Sequence, residues 1–491
     1  MILFLTALLA SAAPDASAAP VVRVAEGSLR GVREADGRML FRGIPFAAPP
    51  TGPRRWRPPV AATPWRGIRD ARASAPSCLQ LDEGWNRANA TGSREDCLYL
   101  EVGTANLSPA RPQPVMVWIH GGSNRAGGAQ GTVGSSLVTR GIVLVSIQYR
   151  LGPLGFMAHP ALTAEGATRA SGNYGLMDQQ AALRWVRRNI ARFGGDPANV
   201  TIFGGSAGGQ DVGLQQVSPG ARGLFDKAIE QSGTPGFGWA PRDLRTSEAI
   251  GQEIADKAGL SHATADALRA ISADRLLQAS REIPTPPGLP DAGTVWLQTT
   301  IDGKVITEPP SRTLQRGGGL AVPLLIGSNA REIDFFHDPA AARRGLVEAL
   351  GSDAPALPDG DTRLATAEGR LALATDLVFT CPATLVADAR QRAGIAVWRY
   401  DFGYSPPGGP AVTHSSELRY IFHRPGEDGV PADAPDLQGY WIRFARTGNP
   451  NGAGASVWPK WDGRGAGLSF TDRGTAPTIP MPAVCTHARY P

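Results

Sequence analysis

Six short apolar runs punctuate the chain: "PVMVWI" (114–119), "GIVLVSI" (141–147), "NVTIF" (199–203), "DKAIE" (226–230), "VPLLIG" (322–327) and "IAVWRYDF" (395–402). Runs of this length predict strands buried on both faces. Between them lies a different period. "DQQAALRWVRRNIARFG" (178–194) places apolar residues at helical spacing and ends on glycine, which predicts a helix with a glycine stop. Strands alternating with helices predict an α/β fold, with a large, mostly parallel central sheet and helices on both faces. From about 240 to 320 the strand signal is weakest, and a helical cap over the sheet is expected there. The proline-rich stretches at 283–291, 353–360 and 405–410 read as surface loops. No internal repeat is found. A chain of 491 residues would allow two to four domains, but large α/β proteins often keep one sheet at this length.

Composition narrows the picture. Apolar residues make up 42% and charged residues 19%, a soluble globular balance. The net charge is +5, and only four of the 49 basic residues are lysines. The arginines are scattered, with no basic stripe interleaved with aromatics, so a nucleic-acid partner is not expected.

Residues 2–13 are apolar or small, too few to span a bilayer, and Ala16-Ser17-Ala18 offers a small-x-small cleavage site. Residues 1–18 therefore read as a secretory leader, although no Lys or Arg precedes the apolar run. Residues 19–491 remain as a single expected domain, secreted or periplasmic, with no later segment apolar enough to cross a membrane and no stable anchor. Four cysteines, Cys78, Cys97, Cys381 and Cys485, favour disulfides in an exported chain. The seven histidines are dispersed, with no HExxH or CxxC pattern, so neither a metal nor a cofactor is expected.

The chemistry concentrates at "TIFGGSAGGQ" (201–210). Gly204-Gly205-Ser206-Ala207-Gly208 fits G-x-S-x-G between a predicted strand and a predicted helix. A turn that sharp strains the serine backbone and leaves no room for side chains around it. A serine needs a base, an orienting acid and donors for a developing oxyanion before it is a useful nucleophile. "WIHGGSN" (118–124) ends a strand on small residues, so its backbone amides, with that of Ala207, form a candidate oxyanion hole.

Longer stretches carry a resemblance. "FRGIPFAAPPTGPRRWRPP" (41–59), "EDCLYLEV" (95–102), "VMVWIHGG" (115–122), "SIQYRLGPLGF" (146–156) and "GNYGLMDQQAALRWV" (172–186) are followed in order by "TIFGGSAGG" (201–209), "AIEQSG" (228–233), "VPLLIGSNAREIDFF" (322–336) and "AVTHSSELRYIF" (411–422). Together they resemble the type-B carboxylesterases, the branch of the α/β-hydrolase fold that also holds cholinesterases and some lipases. The resemblance implies a serine carboxylesterase acting on small-molecule esters, with Ser206 as nucleophile, His414 as base and Glu332 as acid, Asp334 being the alternative acid. It implies an oxyanion hole from Gly122, Ser123 and Ala207, and a supporting role for Ser232. It pairs Arg55 with Glu95 and Arg150 with Asp178, Cys78 with Cys97, and Cys381 with Cys485.

The chain departs from that family at several points. Gly205 stands where a glutamate often precedes the nucleophile, which argues against choline esters because a negative charge is missing. Ser123 replaces a glycine of the hole, Asn124 replaces an aromatic residue and is expected to make the pocket entrance more polar, and Ile333 replaces a glycine after the acid. Trp85 and Trp118 read either as pocket lining or as packing. Two other readings stay open: a non-catalytic, cholinesterase-like binding protein, and the same chemistry on a lipid, a polyester or a polycarboxylated natural product. The scattered arginines would suit an anionic ester only if several converge on one pocket.

Overall fold

In the strand that carries "PVMVWI", Val115, Val117 and Ile119 face one side while Met116 and Trp118 face the other, and all five are buried. Both sides are covered because two separate apolar clusters sandwich the sheet. The computed structural model describes residues 19–236, 241–283, 297, 299–333 and 362–486. The expected leader 1–18, the alternative acid Asp334, the stretch 353–360 and nearly all of 283–291 lie outside the described residues.

Eleven strands form the main sheet: β1 (Val32–Arg33), β2 (Met39–Pro45), β3 (Tyr99–Thr104), β4 (Gln113–Ile119), β5 (Val143–Ile147), β6 (Gly195–Gly205), β7 (Lys227–Gln231), β8 (Leu324–Asn329), β9 (Val397–Phe402), β10 (Ala466–Thr471) and β11 (Gly474–Thr478). Their order across the sheet is β11-β10-β9-β8-β7-β6-β4-β5-β3-β2-β1. The run from β10 to β5 is parallel, and the edge strands β11, β3, β2 and β1 join antiparallel. A separate three-stranded sheet is formed by Val21–Val24, Gly27–Arg30 and Ile68–Asp70, the last lying between β2 and β3 in the chain.

On one face lie α1 (Tyr174–Asn189), α2 (Ala207–Val217) and a later helix, Cys381–Arg392, whose Leu183, Leu214 and Val386 join the first cluster. The other face is closed by Leu437–Thr447, which contributes Trp441 and Phe444 to the second. The expected cap is present as α3 (Leu244–Lys257), α4 (Ala265–Ala270) and α5 (Ala273–Arg281). Each begins at a side-chain cap, Asp243, Thr264 or Ser272, that accepts an otherwise unpaired first-turn amide. The structure corrects one expectation: the continuous helical run Ala367–Arg392 is long and apolar enough to cross a membrane. In this fold 67% of its most apolar stretch is buried, so its apolarity is matched by packing inside the protein.

The expected disulfides both form, Cys78–Cys97 and Cys381–Cys485. They span 19 and 104 residues of chain. Cross-linking a longer loop removes more entropy from the unfolded chain, so the second should stabilise more, by about 4–5 kcal/mol against about 3 kcal/mol. Urea midpoints of the Cys78→Ser/Cys97→Ser and Cys381→Ser/Cys485→Ser variants should fall in that order.

Candidate active site

Parallel pairing levels the strand ends. Gly205 of β6 sits opposite Gln231 of β7, Gln231 opposite Gly327 of β8, and Gly327 opposite Tyr400 of β9. Residues that follow these strands therefore emerge along one edge, the carboxyl edge where open α/β sheets build their sites. Ser206 follows β6 directly. It holds φ 59° and ψ −128° and opens α2, donating its amide to Gln231 O at 2.8 Å. A left-handed serine at a strand-to-helix turn is strained, and it sits at the positive end of the helix dipole.

Neighbouring glycines explain why the turn is possible. A Cβ on Gly208 would lie 2.0 Å from Ile119 O, and one on Gly121 would lie 2.6 Å from Gly205 O and 3.0 Å from Ser206 Cβ. By contrast, a Cβ on Gly205 would meet Trp118 and Leu418 side chains at 3.4 Å or more, ordinary contact. Gly208→Ala is thus expected to cost about 3 kcal/mol or more, because backbone must move. Gly205→Ala should cost under about 1 kcal/mol. Thermal unfolding of the two variants checks the contrast.

Glu332 lies three residues past β8 and is buried. Its Oε1 accepts the Asn329 amide at 2.7 Å, and its Oε2 lies 2.5 Å from His414 Nδ1. With Nδ1–H donated to the carboxylate, Nε2 is the basic nitrogen. Nε2 is buried and without a hydrogen-bond partner, so no hydrogen bond joins Ser206 to His414 in this structure. Such bonds commonly tighten only when substrate arrives. Burial opposes protonation of His414, but the charge and hydrogen bond of Glu332, with Glu417 behind it, more than offset that and raise its pKa above the ordinary value. Ile333, in place of a glycine, does not pull Glu332 out of reach of the imidazole.

The loop after β4 provides the other half. Gly122, Ser123 and Asn124 all have positive φ, at 109°, 54° and 53°. Gly122 O accepts the amides of Arg125 and Ala126, closing a tight turn. Among the described residues, the Gly122 and Ser123 amides are engaged in no backbone or side-chain hydrogen bond. The Ala207 amide, first in α2, has no partner within its own helix. His120 at the root of this loop stacks on Tyr149 and bonds Gly121 O at 2.8 Å; burial pulls its pKa down to about 4, so it stays neutral.

Several residues beside this edge gave no signal in the sequence. Asn329 donates to Ser232 Oγ at 3.1 Å, which ties Ser232 to the residue that also holds Glu332. Thr375 Oγ1 accepts the Glu332 amide at 3.1 Å, and the Phe379 ring lies 5.3 Å from the His414 ring. Glu417, fully buried, is pushed up to about 7 by burial and by facing Glu332. Local pattern does not find such residues, since the contacts to Ser232 and Thr375 join positions 97 and 43 residues apart. The expected ion pairs both form: Arg55–Glu95 at 2.5 Å and the fully buried Arg150–Asp178 at 2.7 Å.

Three expectations about the rim are settled by burial. Trp118 is 5% exposed and packs on Phe203 and Phe422, so it is core. Trp85 is 64% exposed, and its ring edge lies 3.3 Å from where a Gly122 Cβ would be, so it stands at the surface beside the 122–124 loop rather than in the core. Asn124 does not make the entrance more polar through its amide group: it is 2% exposed, and its side chain turns inward to Asp211 and Tyr149. Beside Ser123 opens a cleft of about 430 Å³, mouth included, lined by Leu81, Pro153 and Leu277 and by Glu83, Arg125 and Arg281. Arg281 pairs with Glu83 at 3.1 Å. Among the described residues no cluster of His, Cys, Asp and Glu could hold a metal ion.

Comparison with known proteins agrees with this architecture. The model of the carboxylesterase family matches residues 18–354 and 356–473. The chain is 36% identical to a fumonisin B1 esterase of Sphingopyxis macrogoltabida, over 90% of this chain and 85% of that protein. It is 33% identical to a para-nitrobenzyl esterase of Bacillus subtilis, over 90% and 92%. Among solved structures, a PNB esterase superposes with a TM-score of 0.79 at 29% identity, covering 94% of this chain and 97% of that one. A carboxylesterase of Geobacillus stearothermophilus superposes with a TM-score of 0.77 at 32% identity, covering 93% and 97%. The chain belongs to the carboxylesterase family, as a carboxylic-ester hydrolase built on the α/β-hydrolase fold.

Proposed function

We propose that Ser206, His414 and Glu332 hydrolyse esters through an acyl-enzyme. His414 Nε2 takes the proton of Ser206 Oγ as that oxygen attacks the ester carbonyl. Glu332 keeps the imidazole in the Nδ1–H form and stabilises the imidazolium. The Gly122, Ser123 and Ala207 amides receive the oxyanion, each supplying about 3 kcal/mol of transition-state stabilisation. The alcohol leaves with the proton from His414, and a water activated by the same nitrogen releases the acid. The observation that carries this reading is the 2.5 Å contact between His414 Nδ1 and Glu332 Oε2. That pair lies beside an edge where Ser206 is two strands from β8. Two strand spacings are about 10 Å, a gap that an imidazole between carboxylate and hydroxyl fills. Residues 19–491 act as one domain, and the two disulfides suit an exported protein in an oxidising compartment.

One observation favours an anionic ester as a second reading of the substrate: Arg125 and Arg281, the latter paired with Glu83, line the cleft beside Ser123. A panel of nitrophenyl esters graded in chain length, plus the mono-nitrophenyl ester of a dicarboxylic acid, separates the readings. With an anionic substrate, Arg125→Ala should raise KM for the acidic ester about tenfold more than for its neutral analogue. Equal effects on both esters would leave neutral esters as the substrate.

A further inference from the structure

The proposed oxyanion hole is divided between two elements. Two of its amides belong to the loop 122–124 and the third to α2. A hole works only if its donors keep a fixed relation to one another within a fraction of an ångström. Something must therefore set the loop against the helix, and set it in a backbone conformation that L-residues avoid, since Ser123 and Asn124 are both left-handed.

One side-chain bond joins the two elements directly. Asn124 Nδ2 donates to Asp211 Oδ1 at 3.1 Å. Asp211 lies one turn into α2, and its second oxygen accepts from Gln179 of α1 at 2.5 Å. Gln179 in turn accepts from Gln215 of α2 at 2.9 Å. On the loop side, Asn124 Oδ1 lies 3.1 Å from the Tyr149 hydroxyl, which also reaches His120 O at 2.7 Å, and Asn124 O accepts the Gly152 amide at 2.7 Å. Asn124, Tyr149, Asp211, Gln179 and Gln215 are all buried. Asn124 Nδ2 is thus bonded to Asp211, its Oδ1 shares the single Tyr149 hydroxyl hydrogen with His120 O, and the carboxylate of Asp211 has both oxygens bonded. A buried network in which these groups are satisfied holds one geometry, and loosening one member leaves the rest unpaired.

We infer that Asn124 and Asp211 are a positioning pair, tying the oxyanion loop to the nucleophile helix so that the Gly122 and Ser123 amides hold register with that of Ala207. The inference rests on the proposed Ser206 chemistry and goes beyond it. Asp211 does not line the cleft beside Ser123, and Asn124, which borders it, is 2% exposed with its side chain turned inward; both act through the backbone they fix.

Asn124→Gly is the sharpest test, because glycine adopts the left-handed conformation freely and removes only the side-chain contacts to Asp211 and Tyr149. Together with Asp211→Ser and the double variant, it should be assayed on a nitrophenyl ester, with active sites counted by organophosphonate titration. The pair predicts that kcat per titrated site falls about 10–100-fold in each single variant, with KM changed little. The double variant should be no worse than the poorer single one. Unchanged kcat per titrated site, with only the melting temperature lowered, would reduce the pair to ordinary packing. Losses that multiply in the double variant would also overturn it. If Ser206→Ala kept the parent rate, the chemistry beneath this inference would fail instead, and the two failures are read from different variants.

Discussion

Ser206→Ala is expected to lower kcat by about 10⁵-fold or more, while its unfolding midpoint and any binding of substrate stay near those of the parent. The size follows from what is removed. Without the oxygen there is no acyl-enzyme, and His414 and Glu332 have no nucleophile to activate. Residual catalysis would come from the oxyanion amides and binding alone, as it does when such triads lose a member. Little stability should be lost. Ser206 is only partly buried, and the turn is held by backbone bonds to Gln231 and Gln210 that alanine retains. The left-handed strain at position 206 is borne equally by either residue. Because triad members act as a unit, Ser206→Ala combined with His414→Ala should be no slower than Ser206→Ala alone. Steady-state assays with a nitrophenyl ester, on protein shown folded by circular dichroism, check both statements.

The pH dependence carries the second large effect. As the proposed base, His414 must be neutral to accept the serine proton, so kcat/KM should fall as pH drops through the histidine's pKa. Burial works against the charged imidazole, but Glu332, by charge and hydrogen bond, together with Glu417 raises the pKa above the ordinary 6.5. The acid limb of the profile should therefore have its midpoint above 6.5. Glu332→Gln removes the largest of the raising causes and leaves burial, so the midpoint should move to lower pH. It should also lower kcat by about 10⁴-fold, since the amide no longer enforces the Nδ1–H tautomer. Stability has its own sign. A raised folded pKa contributes stability that is fully present below the unfolded value and is lost as pH rises through the folded one. Glu332→Gln should thus cost more stability in mild acid than in alkali. A midpoint in the variant equal to the parent's would mean that another group controls the limb.

The fold was legible where the hydrophobic pattern is strongest. Each of the six apolar runs overlaps a parallel strand, and β4 differs by one residue from the run 114–119. The helix read at 178–194 begins at Tyr174, is α-helical to Asn189, and tightens to a 3₁₀ turn before Gly194. The antiparallel edge strands escaped. β2 contains an arginine, a glycine and a proline, and β11 reads "GTAPT", so neither presents an apolar run; their pairing comes from neighbours. Trp118 shows the limit of reading one residue: only the alternation along β4 decides that it faces the second core.

The candidate site divides in the same way. Ser206 was legible because a strained turn demands small neighbours, and these leave a pattern. Glu332 and His414 carry no such local mark; a carboxylate and a histidine on loops are ordinary, and they were reached by resemblance. Asn124 was misread as polar surface because its partner, Asp211, lies 87 residues away. Asp211 itself, pushed by burial up to about 7 against the hydrogen bonds of Gln179 and Asn124, is invisible in a sequence where aspartates are usually solvated.

The central claim is that the Ser206 hydroxyl, among all hydroxyls of this chain, is the activated nucleophile. A nitrophenyl organophosphonate, added at slight excess and followed by nitrophenol release and peptide mass spectrometry, tests it directly. The result expected is one equivalent released per chain and a single adduct on Ser206, absent in Ser206→Ala and much slower in His414→Ala. Release without an adduct at Ser206, or equal labelling in the His414→Ala variant, would contradict the assignment.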